Sequence, residues 1–211
     1  MPFDFLKRKK APPEPMEAHT PQAPDLESET RGIEFDGLTD DWRIVGRMHV
    51  EGRLSDALNR REAVSISDVR WSPIDGSEPL VPAPGLRTID PYDLIIVMAG
   101  ESTRPPFTEA ERAAHKVHKV AYDVALDVPP FRVVGTVYLY AGTDPTRLLD
   151  RATEMFLPVV RATAHLGDQV LKEDMDAILV NRSYLRGITQ IDTRTGEPPT
   201  SMPGGPSWPE G

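Results

Sequence analysis

A short pattern that occurs twice, at residues 42–50 and 131–139, constrains the fold more than any other feature of the chain. Each copy begins with an aromatic residue and an arginine, continues with two β-branched residues and a glycine, and then alternates. Such segments favour a β-strand. A glycine in mid-strand, here Gly46 and Gly135, is typical of a bulge or a sharp bend.

Four further segments recur around this pattern in the same order. They are residues 33–36 with 120–123, 53–56 with 147–150, 64–66 with 157–159, and 93–97 with 176–180. Five landmarks kept in one order predict two tandem copies of a module. Each copy reads strand, strand, short helix (54–61 and 146–155), strand, strand. We therefore predict an α+β, mostly β fold of two small bent-sheet or partly closed barrel modules, packed into one body because each alone buries little surface.

Segments of different composition bound the modules. Residues 11–30 and 193–211 hold many of the 22 prolines and few large apolar residues, a composition that favours disorder. We predict a disordered tail with a basic N-terminus at 1–30, module 1 at 31–101, a connecting helix or linker at 102–119, module 2 at 120–192, and a disordered Pro/Gly-rich tail at 193–211. Thr108 and Glu111 form a capping box in the connecting helix. Residues 79–84 are expected to form an irregular Pro-rich loop.

The first short helix starts with the sequence RLSDALN at residues 53–59. With the glycine-centred strand and the apolar final strand, it resembles an uncharacterised bacterial family of small β-rich domains with an Arg-Leu-x-Asp-x-Leu-Asn helix start, present here as a tandem repeat. The second copy keeps Arg147, Leu148 and Asp150 and departs at Ala152 and Thr153. The resemblance implies a bacterial, non-secreted module and assigns no activity.

Two Arg–Asp pairs recur, Arg53 with Asp56 and Arg147 with Asp150. Either the pairs contact a ligand, or each aspartate lies near a helix N-terminus, where the helix dipole favours a carboxylate. We favour the structural interpretation.

The composition excludes several kinds of site. The absence of cysteine excludes disulfides, thiolate metal sites and a cysteine nucleophile. No nucleophile elbow, phosphate loop or dinucleotide fingerprint occurs. His115 and His118 are suitably spaced for a metal, but Lys116 and Lys119 would repel a cation. We therefore predict a non-enzymatic protein with no catalytic residue, no metal and no cofactor.

The N-terminus combines aromatic and basic residues. The candidate tether residues are Phe3, Phe5, Leu6, Lys7, Arg8, Lys9 and Lys10. This combination is typical of an interfacial membrane anchor. A solvated tail and an acidic protein partner are the alternatives. No apolar run is long enough for a signal peptide or a spanning helix, so we expect a cytoplasmic protein, membrane-peripheral if the tether operates.

These features predict a cytoplasmic scaffold or adaptor that binds a protein partner through strand edges and the Pro-rich loop. One alternative is a small-ligand sensor with a pocket between the modules. The other is an RNA-binding small barrel, which the net charge of −9 disfavours because phosphate backbones repel an acidic chain. The sequence predicts no oligomeric state.

Overall fold

The structure, a computed structural model, describes residues 31–99, 119–149 and 154–192. Within these ranges it has one α-helix, α1 (Leu54–Asn59), and 3₁₀ turns at Pro91–Asp93 and Pro145–Leu149. The strands are β1 (Arg31–Leu38), β2 (Trp42–Val50), β3 (Val64–Pro73), β4 (Val81–Pro82), β5 (Thr88–Ile89), β6 (Ile96–Ala99), β7 (Lys119–Val128), β8 (Phe131–Tyr140), β9 (Phe156–Leu166), β10 (Gln169–Asn181) and β11 (Gly187–Gln190). The prediction of a mostly β protein is confirmed.

The strands follow from the alternation of apolar and polar residues. In β1, Ile33 and Phe35 are buried while Glu34 between them is exposed. In β8, Phe131 and Val133 are buried on either side of exposed Arg132. This period of two places one face of each strand on a core and the other towards solvent.

All strands pair antiparallel in one sheet that does not close on itself. The order is β11-β7-β8-β9-β10-β6-β1-β2-β3-β4, and β5 also pairs with β3. The pair β6–β10, with Val97 opposite Leu179, joins the first half of the chain to the second. The sheet therefore runs without interruption through both halves.

Two hydrophobic cores lie on opposite faces of β6. Val97 belongs to the first core, which is centred on β1–β3 and α1. Its neighbours Ile96 and Met98 belong to the second core, which is centred on β7–β9. Because successive side chains of a strand point to opposite faces, β6 contributes to both cores. Phe156 from β9 also enters the first core.

A bulge lies opposite each mid-strand glycine, with the extra residue in the next strand, β3 or β9. The register with the next strand shifts between Val45 and Arg47 in β2, and between Val134 and Thr136 in β8. A Cβ on Gly46 would lie 2.8 Å from the carbonyl oxygen of Ser67, and one on Gly135 would lie 3.0 Å from that of Val160. Only a residue without a side chain allows the two backbones to approach this closely.

Two of the sequence pairings between the halves are wrong. β6 lies beside β1, with Ile96 opposite Leu38, whereas residues 176–180 belong to β10, between β9 and β6. The strand beside β7 is β11, so β11 rather than β10 occupies the position that corresponds to β6. The upstream match is also shifted. Phe35 lies opposite Gly46, and Val124, not Tyr122, lies opposite Gly135.

The second short helix, expected over residues 146–155, differs from the structure. The described residues contain only the 3₁₀ turn Pro145–Leu149, and β9 begins at Phe156. The guanidinium of Arg182 donates bonds of 3.1 and 2.7 Å to the carbonyl oxygen of Leu148. This contact holds the turn against the residue that follows β10.

The Pro-rich loop differs from expectation, and so does the last residue of the connecting segment. Val81 and Pro82 form β4 on the edge of β3, and the amide of Ala83 donates to the carbonyl of Val69 at 2.8 Å. An edge strand tolerates proline because one row of its N–H groups is not used in pairing. Lys119 begins β7, opposite Tyr140. The predicted tails, the capping box and the rest of the connecting helix lie outside the described residues.

Candidate functional site

Two stacked tryptophans are exposed at one end of the first half of the sheet. The rings of Trp42 and Trp71 have centroids 4.9 Å apart and planes 21° apart. Trp42 is 41% exposed and Trp71 39%. Val81, which lies opposite Trp71, is 46% exposed. Strand pairing puts these three side chains on the face that carries the first core. We call Trp42, Trp71 and Val81 the tryptophan surface.

Backbone hydrogen bonds hold the strand ends that carry this surface. The amide of Trp42 donates to Oγ1 of Thr39 at 3.0 Å, and the amide of Thr39 donates to the carbonyl of Trp42 at 2.9 Å. The amide of Ile74, just past β3, donates to the carbonyl of Asp41 at 3.0 Å. The tryptophans therefore project from a fixed backbone.

The second half has no such surface at the same register positions. Relative to Gly135, Phe131 occupies the position that Trp42 has relative to Gly46. Ala164 lies opposite Val133 as Trp71 lies opposite Ile44. Phe131 is 3% exposed and Ala164 is fully buried. Exposure of this end of the sheet is thus particular to the first half.

Exposed carboxylates lie in the turns at the same end of the sheet as the tryptophan surface. Asp40, Asp41, Asp75 and Asp93 are exposed, and we call these four the acidic rim. The bond from Ile74 to Asp41 brings Asp75 beside Asp41. Burial, followed by the negative charges of Asp40 and Asp93, raises the pKa of Tyr184 above its usual value of 10.0. The end of the sheet that exposes the tryptophans is therefore negatively charged.

The partly buried cation beside Trp42, Arg43, is paired with a carboxylate. Arg43 lies next to Trp42 on the opposite face of β2 and donates to both carboxylate oxygens of Asp36, at 2.9 and 2.6 Å. These bonds to Asp36 raise the pKa of Arg43. The positive charge of Arg43 is therefore balanced by the carboxylate of Asp36.

Three of the predicted repeat residues, Arg53, Asp56 and Arg147, lie in or beside short helical segments. Arg53 provides the N-cap of α1 and Asp56 lies exposed in its first turn, the position in which a carboxylate meets the positive end of a helix. Arg147 is exposed in the turn Pro145–Leu149. α1 contacts β9, while that turn contacts β11, so these residues lie at separate places. Asp150 and the tether residues of the N-terminus lie outside the described residues.

The last residue of the RLSDALN segment, Asn59, has a role that the sequence analysis missed. Its Oδ1 accepts a 2.7 Å bond from the amide of Phe156, and its Nδ2 donates to the carbonyl of Phe156 at 3.5 Å. Leu54 and Leu58 of the same segment are buried. The segment therefore anchors α1 to the start of β9. Its position directly after Leu58, in a segment whose leucines are spaced for a buried helix face, was the available signal.

A narrow cleft of about 140 Å³ separates the two halves. Leu38, Arg43 and Met98 line it from one side and residues 169–172 from the other. Ligand pockets commonly have volumes of roughly 300–1,000 Å³, so this cleft is small. A wider, open groove of about 400 Å³ lies beside the β3 bulge, where Asp68, Arg70 and Arg87 surround Val69.

Other site classes find no support in the described part of the chain. No three His, Asp or Glu side chains there are grouped as metal ligands. His49 bonds Oγ of Ser67 at 2.9 Å, while His115 and His118 lie outside the described residues. Across the described ranges, no helix is long and apolar enough to cross a membrane.

Comparison with known proteins assigns no family. No family model, no curated protein and no solved structure matches the chain. The resemblance of residues 53–59 to a bacterial domain family stays a prediction.

Proposed function

We propose that this protein is a non-enzymatic scaffold or adaptor that binds a protein partner at the tryptophan surface. The observation that carries the proposal is the exposed, stacked pair Trp42–Trp71. Tryptophan is enriched among the residues that dominate interface energies. A stacked pair on hydrogen-bonded strands also loses little conformational freedom on binding, which leaves more of the contact energy for affinity.

The acidic rim favours a basic partner segment. Opposite charge at an interface speeds encounter and selects among partners. A lysine or arginine side chain is also attracted to the face of a tryptophan ring. We therefore propose a partner segment that combines apolar and basic residues.

We propose further that the two halves are tandem copies of one bacterial module. The order β6-β1-β2-β3-β4 in one half parallels β11-β7-β8-β9-β10 in the other. Asp68 and Arg161 occupy the two bulges with φ of 53° and 50°. In this proposal the first module carries the docking surface, and the second provides a rigid base in a cytoplasmic protein.

The basic N-terminus completes the proposal as a tether to an anionic membrane surface or an acidic assembly. Residues 1–10 hold four basic residues and one acidic residue, a net charge of +3. Each basic residue near an anionic leaflet contributes about 1 kcal/mol of attraction. Deleting residues 2–10 should abolish co-sedimentation with anionic vesicles, and unchanged co-sedimentation would refute the tether.

The docking proposal is tested by affinity capture with the full-length protein and two double variants. Trp42→Ala/Trp71→Ala removes the surface, and Tyr138→Ala/Tyr140→Ala removes two aromatics that are 50% and 60% exposed on β8. We expect a partner that the tyrosine variant retains and the tryptophan variant loses, with both variants folded by circular dichroism. Equal capture by the two variants would place binding elsewhere.

The cleft between the halves favours a second candidate, a small-ligand sensor. Both halves line the cleft, so a ligand bound there would contact both and favour one arrangement of the two. A ligand that binds only the native state raises its melting temperature. A thermal-shift screen with nucleotides and metabolites should then find a stabilising compound, and the stabilisation should be lost when Gln169, an exposed residue that lines the cleft, is replaced by tryptophan.

A further inference from the structure

We propose that residues 3–15 of this chain, which we call the basic arm, dock on the tryptophan surface and its acidic rim. The arm reads FDFLKRKKAPPEP. It brings together aromatic, basic and proline residues, the three classes that complement exposed indole rings at an acidic end of the sheet. The inference deepens the proposed function, and rests on it, by naming what occupies the docking surface when no partner does.

Charge complementarity is the first argument. Lys7, Arg8, Lys9 and Lys10 are consecutive cations, and the acidic rim consists of four exposed carboxylates. The chain as a whole carries a net charge of −9, and four consecutive basic residues occur in its sequence at this place alone. Within about a Debye length, roughly 8 Å at physiological salt, such charges attract one another.

Ring chemistry is the second argument. The face of a tryptophan ring attracts a lysine or arginine cation, and exposed aromatic grooves bind proline-rich segments in their extended helix. Pro12, Pro13 and Pro15 follow the basic residues directly. The stacked rings of Trp42 and Trp71 therefore suit either portion of the arm.

Chain length is the third argument. β1 starts at Arg31 and ends at Leu38, beside the turn that leads to Trp42. At about 3.4 Å per residue, the two ends of β1 lie roughly 24 Å apart. The arm joins the strand at Arg31, so it must reach back over this distance to contact Trp42. A random coil of the length of residues 16–30 has a root-mean-square span of about 20 Å. The effective concentration of a tethered segment is greatest when the coil matches the required span.

Docking of the arm makes partner binding and tethering depend on each other. A partner at the tryptophan surface must displace the arm, and the displaced arm is then free to meet an anionic surface. The docked and tethered states use the same basic residues and are mutually exclusive.

The absence of cysteine permits a direct test in the full-length protein. Ala11→Cys is labelled with bimane, whose emission tryptophan quenches on contact, in a Trp208→Phe background that removes the third tryptophan. We expect quenching that disappears in Trp42→Phe/Trp71→Phe and is weakened when residues 7–10 are replaced by glutamine or when salt is added. The matched control is Ser201→Cys, labelled in the same background, which should not be quenched.

Emission that is the same with and without Trp42 and Trp71 would overturn the proposal. Quenching that increases with protein concentration would also overturn it, because the arm would then come from a second copy. No partner is present in this measurement. Its failure therefore leaves the proposed docking function standing, while loss of partner capture leaves arm docking standing.

Discussion

At the scale of single residues, Asn59 connects the first half of the chain to the second. Its carboxamide makes two bonds with the backbone of Phe156, as a neighbouring strand would. Phe156 is itself fully buried in the first core. A side chain from α1 therefore satisfies backbone groups at the start of β9.

Asn59→Ala should reduce the free energy of unfolding by about 1–3 kcal/mol, because it leaves the amide of Phe156 without its acceptor. Asn59→Asp keeps an acceptor for that amide but places a second oxygen against the carbonyl of Phe156, so it should be the milder change only at a pH low enough to protonate the carboxylate. Chemical denaturation of both variants at that pH measures the difference. Equal losses would contradict the role of Oδ1.

Tyr184 should make stability fall at high pH. Burial and two nearby carboxylates raise its pKa above 10.0 in the folded protein. A raised folded-state pKa stabilises the protein below the unfolded pKa, and this stability is lost as the pH rises through the folded pKa. Between about pH 9 and 11, the urea midpoint should therefore fall more in the wild type than in Tyr184→Phe. Parallel curves would contradict the assignment.

At the scale of elements, the two bulges determine how β2 meets β3 and β8 meets β9. A Cβ added to Gly46 or Gly135 would lie 2.8–3.0 Å from backbone atoms of the next strand. Gly46→Ala and Gly135→Ala should each lower stability by about 1–3 kcal/mol through overpacking.

Gly85→Ala is the matched control for both substitutions, because a Cβ there meets nothing within 4 Å. It should leave the denaturation midpoint nearly unchanged. Alanine tolerated equally at all three glycines would show that the bulges do not require glycine.

Strand identity was predictable from alternation, whereas strand neighbours were not. The recurring segment 157–159 was predicted to lie in a strand, and it lies in β9 (Phe156–Leu166). The run 93–97 resembles 176–180 because both are apolar, yet one borders β1 and the other borders β9. Similar burial produces similar sequence at different sheet positions. The first half of β10 was missed because Lys172, Glu173 and Asp174 interrupt the alternation where its register shifts.

The candidate site was less predictable than the fold. Trp42 was read only as a landmark aligned with Phe131, and the sequence does not show that one is exposed and the other buried. Exposure depends on which strands cover the end of the sheet, a long-range property. The glycines were correctly expected to mark bulges, because a crowded backbone admits only a residue without a side chain, and that residue is visible in the sequence.

At the scale of the whole molecule, the halves share buried strands. Val97 and Ile96 of β6 enter different cores, and β10 pairs with β6 along the centre of the sheet. Neither core is complete without residues from the other half. We therefore expect the halves to unfold together.

Leu58→Ala empties a fully buried site in the first core and should cost about 2–5 kcal/mol. If the halves are coupled, amide exchange in β8, which belongs to the other half, should accelerate by the same free energy. Leu149→Ala, at a residue that is 43% exposed, should have little effect. Unchanged exchange in β8 would show that the halves are independent.

Photo-crosslinking in the native cell tests the docking surface most directly. A photoreactive amino acid replaces Trp71 in one full-length variant and Tyr138 in another, two aromatic positions of comparable exposure at 39% and 50%. We predict a discrete protein adduct at position 71 that is absent at position 138, and that becomes stronger when the basic arm is deleted. No adduct at position 71, or the same adduct at both positions, would contradict a partner-binding role for the tryptophan surface.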